Sequence, residues 1–89
     1  MDVSRDFSDF YAANKDRCLR AVVASGVDRG TAEEAVAEAF ARAWSRWPAV
    51  KTHPVPAAWV VRVALNYHVS RWRRLRREVT LEVAPEPQA

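Results

Sequence analysis

A single cysteine, Cys18, excludes an intrachain disulfide and fits a reducing cytosol, with the thiol read as small core filler. Only two glycines, many alanines and no alternating β-branched run argue against sheet and for an all-α bundle in this 89-residue chain. No stretch approaches the roughly twenty apolar residues that a spanning helix needs, and the acidic N-terminus MDVSRDFSDF lacks the apolar segment of a secretory signal. The expectation is one small cytoplasmic domain with no membrane role. Catalytic equipment is equally scarce. There is no glycine-rich phosphate loop, and no nucleophile–base arrangement follows from any spacing of two histidines and one cysteine. His53 has no His, Cys or carboxylate at metal-ligand spacing. The carboxylates fall on exposed helix faces rather than in the apolar pairs that raise a pKa. The expected function is binding, without a cofactor and without catalysis.

A further absence shapes the rest. From Ala39 to Arg77 the chain has no Asp or Glu, while nine Arg or Lys fall in that span. Up to Glu38 eight acids stand against five bases. An acidic flank beside a basic working face is the electrostatic footprint of a nucleic-acid binder.

The residues present fall into three main helices. The first is expected from about Asp6 to Ala24, with Phe7, Phe10, Tyr11, Ala13 or Asn14, Leu19 and Val22 or Val23 at a rough spacing of three to four and Gly26 as a left-handed cap. Asp28–Gly30 reads as a short turn. Thr31 with Glu34 forms a capping box for a second helix, in which Ala32, Ala35, Val36, Ala39, Phe40, Ala43, Trp44 and Trp47 make the apolar stripe. Its opposite face carries Glu34, Glu38, Arg42 and Arg46, with Glu38 placed to pair with Arg42. Pro48 closes this helix, and a basic loop from Ala49 to Val55 holds Lys51 and His53. Pro56 then opens the long third helix, PAAWVVRVALNYHVSRWRRLRRE. Its first half is apolar on several faces. Its second half brings Arg71, Arg73, Arg74, Arg76 and Arg77 within two turns. A stripe of Val61, Leu65, Val69, Trp72 and Leu75 continues into that half and implies that the basic end lies against helix one or two. Residues 1–78 are read as the domain and 79–89, with two prolines, as the start of a linker or tail.

TAEEAVAEAFARAWSRW resembles the core-polymerase-binding helix of bacterial extracytoplasmic-function sigma factors, where an A-E-D-L-V-Q-E-A-F-x-R-A-W run is typical. AAWVVRVALNYHVSRWRRLRRE resembles the minus-ten-reading helix of the same family, with its W-L-x-R-V-A-x-N run and trailing arginines. The resemblance covers about Phe7 to Glu78 in the same order. It implies sigma region two, a compact helical bundle docking on the clamp helices of the largest subunit of core RNA polymerase and melting the promoter minus-ten element. Glu34, Glu38 and Arg42 would then belong to the polymerase-facing side. Trp59, Arg62 and Asn66 would engage the single-stranded non-template DNA, with Lys51 and His53 in the loop shaping a pocket for an extruded base. Arg71, Arg73, Arg74, Arg76 and Arg77 would hold phosphates, an affinity that weakens with salt and carries no sequence information. For Trp59 the alternative is plain core packing, and for Asn66 a local hydrogen bond.

The chain departs from the family at Ala35 and Ala37, where Leu and Gln are common, which implies a smaller and less polar second helix. Ser70 stands where many relatives carry Asp. The family's second domain, a helix-turn-helix reading the minus-thirty-five element, is not found here, and Pro85 and Pro87 fit a chain ending in a linker. Two other readings use the same residues. One is an interaction module held by an anti-sigma partner, with the aromatics around Trp44 and Trp47 partly exposed. The other is a basic helical DNA-binding domain of unrelated type.

Overall fold

A computed structural model of the protein describes residues 2–83, with side chains described as far as residue 79. Four helices follow one another: α1 (Val3–Ala24), α2 (Arg29–Ser45), a single turn α3 (Trp47–Val50) and α4 (Pro56–Val83). No strand occurs among the described residues, so the all-α expectation holds.

α1 and α2 each start where a side chain can accept orphan N–H groups. Asp2 caps α1 by accepting from Ser4 N at 3.0 Å and Arg5 N at 3.4 Å, so the helix begins a turn before the expected Asp6. It ends at Ala24, and Gly26 takes φ +100°, the left-handed conformation expected of it. The start of α2 differs from expectation. Asp28, not Thr31, is the N-cap, its carboxylate accepting from Thr31 N at 3.1 Å. Residues 29 and 30, read as a turn, form the first turn of the helix. That earlier start also brings Arg29 and Glu33 together at 3.1 Å across one turn. Glu34, freed from any capping duty, projects to α4.

The other end of α2 also differs. The helix stops at Ser45, the backbone breaks at Arg46, and Pro48 sits in the first turn of α3 rather than ending α2. A proline lacks the N–H that this first turn leaves unpaired, so it is tolerated there. The break turns Trp47 inward, where it is 5% exposed, and leaves Trp44 outside at 46%.

The core is a cluster of small and branched residues: Cys18 and Val22 of α1, the stripe from Ala32 to Ala43 on α2, Trp47 and Val50 of α3, and Val60 and Ala64 of α4. Ala32, Ala35, Ala39 and Ala43 have no exposed surface, which lets α1 and α4 both approach α2 closely. Ala35, one of the two departures from the sigma pattern, therefore bears on helix packing, whereas Ala37 lies on the surface. Aromatic rings close the wide end. Phe7 meets Trp44 at 5.1 Å and Trp47 at 5.3 Å, Phe10 meets Phe40 at 5.8 Å, and Tyr11 stands edge-on to Phe40 at 4.9 Å. Each such pair adds about 0.5–1.5 kcal/mol beyond burial. Cys18 is buried as expected, its thiol directed to the Ala57 carbonyl at 3.8 Å.

α4 has 28 residues, about 42 Å at the helical rise. Its wholly buried positions end at Ala64. Val61 and Leu65 pack on the core, but Val69, Trp72 and Leu75 are 40%, 51% and 48% exposed. The apolar stripe therefore does not stay covered, because α4 runs past the N-terminus of α2 and meets no further helix there. α4 also continues through residues 79–83, which the composition assigned to a linker; residues 84–89 lie outside the described residues.

Candidate nucleic-acid interface

Helical periodicity sorts the α4 side chains once Val60 and Ala64 are fixed inside. Arg62, Asn66, Arg73 and Arg77, at intervals of four, seven and four, share one row, and all four are exposed. Arg74 and Arg76 are exposed beside it. Asp and Glu are absent from the helix between Pro56 and Arg77. This row is an uninterrupted cationic track with an amide, Asn66, set into it. The Asn66 side chain can both donate and accept at a base edge.

Trp59, three residues before Arg62 and seven before Asn66, falls in the same row. It is half-buried, with part of its indole packed against the core cluster. Lys51 is exposed just after α3. His53 is half-buried in the loop, and its Nδ1 accepts from Val55 N at 3.1 Å. That bond holds the turn into α4 and leaves Nε2 as the free nitrogen.

Arg71 is set apart from the other arginines. It falls in the row of Val60, Ala64 and Tyr67, the side of α4 that faces α2, and it forms an ion pair with Glu34. Tyr67, which the sequence reading passed over, completes a polar bridge between the helices. Its hydroxyl donates to Glu34 over a long 3.5 Å, and the Arg42 guanidinium lies 5.4 Å from its ring centroid. Arg42 also pairs with Glu38 at 3.2 Å, as the i, i+4 spacing suggests. Residues expected on two separate surfaces, Glu34 and Arg42 on one and Arg71 on the other, are thus joined. The signal for Tyr67 was legible: it lies seven residues after Val60 and three after Ala64, in the inward row.

Beside the bridge runs a groove lined by Asp28, Thr31, Glu34, His68, Arg71, Trp72 and Leu75. Hydrogen bonding from Thr31, through its side chain first and its backbone N–H second, holds the Asp28 carboxyl below its ordinary value, with His68 adding a smaller pull. Among the described residues no group of three or more His, Cys, Asp or Glu is arranged to hold a metal, and no helix is long and apolar enough to cross a membrane.

Comparison with curated proteins and with solved structures gives no match. Comparison with protein families does. The model of sigma-70 region 2 matches residues 10–78, from the middle of α1 through the arginines of α4. With well over half its length inside that match, the chain belongs to the sigma-70 region 2 family, non-enzymatic transcription-factor domains through which sigma factors recognise promoters and bind RNA polymerase.

Proposed function

We propose that this domain acts in the manner of the extracytoplasmic-function sigma factors, binding core polymerase through α2 and melting the promoter minus-ten element along α4. The observation that carries this reading is the exposed Arg62–Asn66–Arg73–Arg77 row, free of carboxylates and fixed to a buried helix half. Arg73, Arg74, Arg76 and Arg77 hold phosphates of the non-template strand. Arg62 and Asn66, with Lys51 and His53 on the loop before α4, meet the base that leaves the stack. Trp59, in the same row and half-buried against the core, flanks Arg62 and Asn66 there. Melting is a difference in binding: a surface that holds the single strand better than the duplex offsets the few kcal/mol of unstacking.

Glu34, Glu38 and Arg42 form the side offered to the clamp helices of the largest polymerase subunit. Glu38 and Arg42 remain 41% and 49% exposed while paired to each other, so a partner can reach both. A second reading, capture by an anti-sigma partner, is favoured by the half-exposed Trp44 beside Phe7.

Two measurements test the proposal. Anisotropy with labelled single strands of varied sequence should show a preferred minus-ten-like strand, bound more tightly than its duplex. Equal binding of all strands and of duplex would sink the melting role. Core polymerase should retain the wild-type domain and release Glu38→Arg; equal retention of both would remove α2 as the docking face.

A further inference from the structure

We propose that Trp72 is the surface on which an unpaired base of the single strand stacks; this assignment rests on the single-strand reading above. The chain has four tryptophans, and three are otherwise engaged. Trp47 is buried, Trp59 packs on the core, and Trp44 leans on Phe7 at the far end of α2. Trp72 is 51% exposed on α4, between Arg71 and Arg73. No helix among the described residues covers it, so core packing does not explain a large indole at this position.

Its surroundings suit a base. The Arg76 guanidinium lies over the ring, 5.1 Å from its centroid, which steadies the indole in one orientation and covers one face, so that a base stacks on the other. Trp72 is six residues beyond Asn66, about 9 Å along the helix axis, on the flank of the Arg62–Asn66–Arg73–Arg77 row. The groove on its other side carries the Asp28 and Glu34 carboxylates. Glu34 is paired there with Arg71 and Asp28 is an anion, so the groove attracts phosphate less than the arginine row does; the backbone of a strand keeps to the row and a base turns toward the ring. Base–aromatic stacking tolerates any base, since every base has a π-face. Trp72 therefore contributes affinity and register, leaving base identity to Asn66.

The test is anisotropy of a labelled single strand at fixed low salt. Trp72→Ala should bind about 5- to 100-fold more weakly than wild type, the range for loss of one stacked base. Trp72→Phe should restore most of that loss. The salt slope should stay as in wild type, because no phosphate contact is removed. An abasic nucleotide placed along the strand should weaken wild type at one position and leave Trp72→Ala unaffected there. Trp72 is exposed, and circular dichroism of the variants verifies that the helices persist. Wild-type binding that Trp72→Ala leaves unchanged overturns the assignment alone. Absence of single-strand binding by the wild-type protein overturns the single-strand reading and this assignment with it.

Discussion

At the residue scale, two titratable groups make opposite statements about their surroundings. Asp28 is exposed and its carboxyl is held below the ordinary 3.8 by Thr31. A depressed folded-state value means that the ionised cap stabilises the fold fully above the unfolded value, and that this contribution is lost as pH falls through the folded one. Thermal unfolding of wild type should therefore fall more steeply below pH 4 than that of Asp28→Asn, whose amide caps α2 without titrating. Parallel acid limbs in the two proteins would show that Asp28 has no such role. Cys18 is the reverse case. Burial pushes its thiol up, with Arg17 opposing only in part, so the reactive thiolate is scarce. Iodoacetamide should label the native protein far more slowly than the urea-unfolded chain at pH 8; equal rates would mean that the α1–α4 contact opens readily.

At the element scale, the junction of α2 with α4 decides how the basic helix is aimed. Glu34, Tyr67 and Arg71 bridge the helices just where the wholly buried positions of α4 give out. Glu34 and Arg71 are 50% and 39% exposed, so their pairing is worth about 0.2–1 kcal/mol, as for other surface ion pairs. A double-mutant cycle of Glu34→Gln and Arg71→Gln by urea unfolding should return a coupling in that range, and amide exchange in residues 69–79 should quicken in either variant. Zero coupling with unchanged exchange would leave the bridge without a function. This junction also shows why sequence reading reached the helices but not all of their ends. The α2 stripe from Ala32 to Ala43 has one period and one reading. Its start had two, since Asp28 and Thr31 are both good caps three residues apart, and only the packed chain chooses between them. Trp59 poses the same difficulty: the register set by Val60 and Ala64 puts it on the row of Arg62 and Asn66, and only the packed chain shows part of its indole turned back onto the core. Arg71 looked like one more phosphate contact until that register placed it opposite Glu34.

At the scale of the whole molecule, charge is segregated along the chain and the fold keeps it segregated. The acids of the first 38 residues lie on α1 and α2 or cap their N-termini, and every base from Arg62 to Arg77 lies on α4. A polyanion approaching α4 meets an attractive field interrupted at one place, where the exposed Asp28 and the Arg71-paired Glu34 lie beside the helix. The field should appear as counterion release. For single strands, log K falls with log salt by about 0.7 per phosphate neutralised. Replacing Arg73 and Arg77 together by Ala removes two cations from the track and should flatten the slope by about 1.4. Asp9→Asn and Asp16→Asn, on α1, should leave the slope unchanged, since neither removes a cation from the track and salt screens surface charges over a Debye length of about 10 Å at 0.1 M. Core-polymerase capture should persist in Arg73→Ala/Arg77→Ala, because the face proposed for it is on α2. A wild-type slope in that double variant would mean that phosphates are held elsewhere, and the directional reading of α4 would fail with it.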